Sequence, residues 1–227
     1  MIKKEIIWVG IVAVVLLVGW SLYDNQQYFR VLDIKPAEAT TATATLSASV
    51  AAGAVTLQIT SGGTVNFGTI TAGTPRYSST DFYVSANDTV NVSFGRKRSN
   101  PATTLASNAA PTTYYISDTA GGVDVFTGCS SPVTAVWVSG ASTGLGFSLY
   151  KASENKNTTC WGTGTSKTDS ANKYAALQAS SSASTAWTTV SIATNVYASV
   201  GWVLDVPTSQ AATSYTGDVI INATATP

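Results

Sequence analysis

The chain of 227 residues contains no histidine. That absence removes imidazole general bases, Ser-His-Asp and Cys-His nucleophile machinery, and every metal site built on histidine. Charge is scarce as well. Lys and Arg number 12, Asp and Glu 12, and the formal net charge is zero. Beyond Tyr23, ten basic side chains stand against eleven acidic ones, so no field of one sign exists to draw in nucleic acid or an anionic lipid surface. The spacing D-x-D-x-D-G of a calcium loop does not occur. Asp118, Asp124 and Asp169 fall in or near predicted loops, where they could join backbone carbonyls around calcium, but nothing in their spacing marks a metal site. Strong amphipathic helical periodicity is also missing. The one helical candidate is Ser170–Ala179, with Asp169 placed to cap it.

What is present begins at the N-terminus. Lys3 and Lys4 precede an uncharged run from Ile6 to Tyr23. As a helix, 18 residues rise about 27 Å, just under the hydrocarbon thickness of a bilayer. Trp8, Trp20 and Tyr23 lie towards its ends, where aromatic rings favour the interface, and the lysines predict a cytoplasmic N-terminus. The competing reading is a cleaved signal peptide. Its nearest small-x-small site is Ala37-Glu38-Ala39, about 14 residues past the run, and the run exceeds the usual h-region. Either reading exports everything that follows. In that setting Cys129 and Cys160, the two cysteines, are expected to form a disulfide closing a loop of about 32 residues.

The exported part holds most of 27 serines and 34 threonines, a vocabulary that with Val and Ala suits short strands with hydroxylated outer faces. Three regions are expected: anchor or signal segment 1–23, stalk 24–44, and a β-domain 45–227. Strands are predicted at Thr45–Val50, Val55–Thr60, Thr64–Ile70, Thr80–Ser85, Thr89–Phe94, Thr113–Ser117, Val123–Thr127, Val133–Val138, Gly146–Tyr150, Thr188–Ala193, Val196–Val206 and Tyr215–Ala225. Clusters of Gly, Pro, Asn and Asp separate them. The pattern predicts an all-β, antiparallel sandwich behind one transmembrane helix. Alternation puts Trp137 and Trp202 on core faces. Residues 153–186 are polar, too long for a hairpin turn, and form the best candidate for a functional loop.

Candidate contacts follow from residue type. Tyr114, Tyr115, Trp161 and Trp187 are aromatics beside turns or in loops, suited to stacking on sugar rings if exposed; Trp161 could equally pack on the adjacent disulfide. Arg96, Lys97 and Arg98 form the one charge run of the ectodomain, either a solvated loop or a contact for an anionic polymer. Four N-x-S/T sequons begin at Asn87, Asn91, Asn157 and Asn222. Ser148-Leu149-Tyr150-Lys151 matches S-x-x-K, but it falls on an alternating strand with no partner motif. The sequence points to no catalytic residue, cofactor or metal.

Two stretches carry a resemblance. Val65-Asn66-Phe67-Gly68-Thr69-Ile70-Thr71-Ala72-Gly73-Thr74 resembles the strand and turn of many exported bacterial and archaeal envelope β-sandwich proteins. Trp202–Pro207 with Ser214–Ile221 is similar to the closing strands of such domains. Together they cover under a fifth of the chain. The resemblance implies an Ig-like sandwich on the cell surface, serving as envelope component, adhesin or filament subunit. Trp202-Val203-Leu204 also matches the W-x-L tripeptide of wall-binding domains, without that family's second copy, and no L-P-x-T-G sorting signal is present. Type IV pilins share an apolar N-terminal helix before a β-domain, but Glu5 follows Lys4 without the glycine of a prepilin site.

The reading is a membrane-anchored surface protein, held by residues 6–23, that is structural or adhesive and not an enzyme. It works through a surface protein or glycan, with no nucleic-acid partner. The alternatives are a self-assembling filament, pilus or layer subunit bonded to copies of itself through Thr40–Thr45 or the apolar helix, and a carbohydrate-binding module.

Overall fold

Alternation of apolar and polar side chains decides the architecture, and the computed structural model turns it into several β-sheets. It describes residues 38–50, 55–86, 88–118, 124–130, 134–189 and 195–226. The predicted anchor and most of the predicted stalk lie outside these. Among the described residues no helix is long and apolar enough to cross a membrane.

The strands are β1 Glu38–Val50, β2 Thr56–Ser61, β3 Thr64–Thr71, β4 Arg76–Ser85, β5 Thr89–Arg96, β6 Leu105–Ser107 and β7 Tyr115–Ile116. They continue with β8 Ala135–Val136, β9 Gly144–Ala152, β10 Lys173–Tyr174, β11 Gln178–Ala179, β12 Thr185–Thr188, β13 Val196–Asp205 and β14 Ser214–Thr226. Among the described residues an α-helical turn, α1, spans Thr158–Trp161 and a 3-10 turn spans Ser180–Ser182.

Sheet one runs β3-β1-β14-β5, with β11 and β12 on the far side of β5 and β6 and β7 extending from β14. Sheet two runs β2-β4-β13-β9, and β8 pairs with β10 in a small ribbon. Sheet two is antiparallel throughout, as predicted. Sheet one is not: β1 runs parallel to β14, and β11 parallel to β5. The reason is topological. β1 and β14, from the two ends of the domain, lie side by side pointing the same way, and no hairpin joins either parallel pair.

The two large sheets share one core. Phe82 of β4 meets Phe94 of β5 edge-on at 5.9 Å, and Phe94 lies 5.4 Å from Phe147 of β9. The arrangement is consistent with a β-sandwich. Trp202 is 1% exposed and donates its Nε1–H to Thr80 Oγ1 at 2.9 Å. Trp137 is also buried, edge-on to Tyr174 at 6.0 Å. Both tryptophans sit where alternation put them. In β3 the buried Val65, Phe67 and Ile70 break strict alternation, because Gly68 takes φ +65° and forms a bulge opposite Ala42.

Three further predictions need correction. The stalk does not reach residue 44, since β1 starts at Glu38. Ser170–Ala179 is not a helix. Its residues enter β10, β11 and bridges to Phe147 and Val125, because Ala175 and Leu177 are needed in the main core and Ala176 in a smaller cluster with Trp137, Tyr174 and Val203. The strand predicted at Val133–Val138 shortens to Ala135–Val136.

Candidate functional site

The segment 153–186 was expected as a polar loop over the domain, and it is folded into it. Cys129 and Cys160 form the expected disulfide, with Cα atoms 5.3 Å apart. Asn157 caps α1, its Oδ1 accepting from Cys160 N at 3.0 Å. The turn drives Trp161 into the core. It is fully buried, its ring tilted against Phe126 at 4.9 Å and Phe147 at 5.2 Å, and its Nε1 donates to Ala186 O at 2.9 Å. Trp187 is buried too, edge-on to Phe82, donating to Glu154 O at 3.0 Å. Neither tryptophan is therefore open to a ligand. Each buries a large apolar surface while a backbone carbonyl satisfies its N–H.

Tyr114 and Tyr115 remain exposed, at 46% and 44%. The basic run does not act as one face. Arg96 turns inward, donating Nη1–H to Leu177 O at 2.5 Å and lying 4.0 Å from Asp118 Oδ2. Lys97 points outward and pairs loosely with Asp218 at 3.6 Å. Arg98 is half-buried. Asp118 is buried and accepts from both the N–H and the hydroxyl of Thr104, at 2.8 and 2.9 Å. Burial pushes its pKa up to about 7, against the opposing pull of Thr104 and Arg96. Asp169 accepts from Thr165 N and Ala171 N, while Asp124 is exposed. Among the described residues no group of three or more Cys, Asp or Glu side chains is placed to hold a metal ion. Ser148 is buried on β9.

Two features stand out that composition did not reveal. The first is β1. Its sequence EATTATATLSASV alternates small residues, and Ala42, Ala44 and Leu46 are buried. It pairs with β14 over ten consecutive positions, Thr41↔Ser214 through Val50↔Ala223, and with β3 on its other side. Among the described residues β1 is the one strand bridging β3 to β14 in sheet one. A strand at the very start of the domain thus occupies the middle of a sheet.

The second is a cleft of about 600 Å³ on the outer face of sheet two. Its floor is the outward row of β4, β13 and β9: Ser79, Asp81, Tyr197, Ser199, Tyr150 and Lys151. Cross-strand register puts Ser199 opposite both Asp81 and Lys151, and Tyr197 opposite Tyr83. The wall is Thr165, Ser166 and Lys167. That wall is pinned from several sides. Lys156 Nζ donates to Tyr150 O and Gly164 O at 2.8 and 2.5 Å, and burial lowers its pKa. Tyr174 donates its hydroxyl to Lys167 O at 3.0 Å, and Asn172 donates to Ser166 O at 2.7 Å. The polarity of 153–186 was the available signal. Tyr197 and Asp81 become neighbours only through strand register, which one sequence does not disclose.

No protein-family model matches the chain, and no curated protein matches it.

Proposed function

We propose that the chain is an exported, non-enzymatic structural protein of the cell surface, an Ig-like sandwich whose copies join by exchanging β1. The observation that carries this reading is the position of β1, first in the domain yet central in sheet one. Such a strand closes its own sheet in one copy or the same gap in a neighbour, with the same ladder and the same buried Ala42, Ala44 and Leu46. Exchange adds little cost beyond opening the connection, so concentration decides between the two states. Five residues, 51–55, link Val50 to β2, and their sequence, Ala-Ala-Gly-Ala-Val, is small and permissive. The small-x-small site at Ala37–Ala39 fits this role. A chain cut there begins at Thr40 and keeps all ten parallel pairs with β14 from Thr41↔Ser214, while losing the Glu38 and Ala39 pairs with β3.

A second reading keeps the anchor and makes the protein an adhesive monomer with β1 closed in its own sheet. It is favoured by the completeness of that sheet within one chain. One experiment separates the two. Thr43 and Thr216 are partners across the β1–β14 ladder, and both are half-buried. Single variants Thr43→Cys and Thr216→Cys, produced separately and assembled together, become disulfide-linked under mild oxidation if copies exchange β1. A double variant giving only an intrachain bond, with no cross-linked pair from the mixed singles, would establish the monomer.

A further inference from the structure

We propose that the cleft on the outer face of sheet two is a binding site for a neutral glycan, taking one pyranose ring against Tyr197. The site is independent of β1 exchange, because it is built from β4, β9, β13 and the disulfide-tied segment, none of which pairs with β1 in a ladder.

The argument starts from Tyr197. The residue is 54% exposed on the outward face of β13, second in the strand after Val196 and laddered to Tyr83 of β4. It is nonetheless held still. Tyr83 meets it edge-on at 5.8 Å, and the Tyr83 hydroxyl is bonded to Gln58. Its backbone is clamped by Ser153, whose Oγ accepts from Tyr197 N at 3.0 Å while Ser153 N donates to Tyr197 O at 2.8 Å. A fixed, exposed aromatic face offers an apolar platform at low entropic cost. The groups around it are hydrogen-bonding ones. Asp81 lies one step along β4, its Oδ2 fixed by the Ser61 hydroxyl at 2.9 Å, which leaves the carboxylate able to accept from adjacent hydroxyls of a ligand. Lys151 and Lys167 supply amine donors from the floor and the wall, and Ser199 a hydroxyl.

The ligand this lining fits has one flat apolar C–H face and a rim of hydroxyls that both donate and accept. A pyranose has that surface. An apolar small molecule would meet too few hydrocarbon side chains. A phosphorylated ligand would meet Asp81, and two flexible lysines are its only cations. The volume falls within the range of ordinary ligand clefts, and the wall is held in place without ligand.

The test uses the full-length chain in detergent, titrated calorimetrically with a panel of neutral oligosaccharides: hexamers of β-1,4-glucan, α-mannan, β-galactan and N-acetylhexosamine, with a uronic-acid hexamer beside them. At least one neutral member binds the wild type. Tyr197→Ala and Asp81→Asn each weaken that binding about tenfold or more, equivalent to about 1.4 kcal/mol. Tyr114→Ala, on the other exposed aromatic surface, leaves it unchanged. Thermal melts confirm that the variants are folded; Asp81→Asn keeps the shape of the side chain in case Tyr197→Ala perturbs the sheet. The proposal is overturned if no neutral oligosaccharide binds, if the uronic acid binds more tightly than every neutral member, or if Tyr114→Ala abolishes binding while Tyr197→Ala and Asp81→Asn do not.

Discussion

The two large sheets of this protein are assembled from different parts of the chain, and that difference bears on what each can do. Sheet two draws its four strands from the interior of the domain. β13 is laddered to β4 over nine positions and to β9 along most of its length, all antiparallel. Sheet one is closed by the two ends of the domain, with β1 beside β14 and both in the middle. Strands at the ends of a domain are the cheapest to withdraw, since only one connection within the domain constrains each of them. Sheet two therefore behaves as a fixed platform, and its outer face carries the cleft. Sheet one holds β1, the strand proposed to exchange between copies.

The sharpest way to break this comparison is to remove β1. A chain lacking residues 1–50 should fail to fold alone, because β3 loses its ladder partner and Ile70, Val219 and Ile221 lose the strand between them. Added peptide Thr40–Val50 should restore the native circular dichroism and a cooperative melt. Recovery without peptide would show that sheet one does not need β1, and strand exchange would lose its basis.

Sheet two should respond differently, since its central strand cannot be supplied from outside. Trp202→Ala removes a fully buried indole and its bond to Thr80. The expected loss is about 3–5 kcal/mol in denaturant unfolding, and no added peptide should recover it. A loss below about 1 kcal/mol would mean that the core between the sheets collapses around the gap.

The same contrast explains what the sequence disclosed. β13 and β14 were legible nearly to their ends because one face of each is continuously apolar: Val196, Ala198, Val200, Trp202 and Leu204 on one, Val219, Ile221 and Ala223 on the other. Trp137 and Trp202 were legible as core for the same reason. β1 was half missed, because an Ala-Thr alternation looks like a linker until its neighbours bury it. Residues 170–179 look helical by local propensity, but the space between the sheets recruits Ala175 and Leu177 as extended chain, and tertiary packing overrides propensity. Trp161 and Trp187 sit in polar sequence and were candidate ligand contacts if exposed, with packing on the disulfide the alternative for Trp161. Their burial depends on the disulfide-tied turn and on carbonyls of Ala186 and Glu154, which no local pattern reveals. The cleft escaped for a related reason: its floor is a cross-strand row.

Proton binding separates the sheets next. Asp118, below β7 at the margin of sheet one, has its pKa pushed up to about 7 by burial. Asp205, at the end of β13, is shifted upward by burial as well, but four backbone N–H groups, from Val206, Gly73, Gly140 and Thr74, favour its charged form. For Asp118 the folded state holds a proton that the unfolded chain releases near pH 4. Its contribution is thus most favourable below about pH 4 and is lost as pH rises to about 7, where it levels off. The wild type should be more stable at pH 5 than at pH 7.5, by about 2 kcal/mol. Asp118→Asn should flatten most of that slope, leaving the smaller part due to Asp205. Chemical unfolding at the two pH values measures it; equal slopes in wild type and variant would mean that Asp118 is ionised throughout, held by Arg96 and Thr104.

The smallest expected difference lies in two glycines. Gly68 forms the β3 bulge facing β1, with φ +65°, and a methyl group there would touch nothing within 4 Å. Its substitution by alanine tests backbone strain alone and should cost about 1–2 kcal/mol. Gly201 in β13 has ordinary strand geometry, and an added Cβ would meet only the Tyr150 ring closely, at 3.2 Å. There the gain in strand propensity offsets a small displacement of the ring, so Gly201→Ala should cost less. Because Tyr150 lies on the cleft floor, the same variant should alter glycan affinity while leaving assembly unchanged. Gly68→Ala should do the reverse, since Gly68 sets the register in which β3 receives β1. If Gly68→Ala melts with the wild type and assembles normally, the bulge does not fix that register, and β3 accepts β1 in more than one alignment.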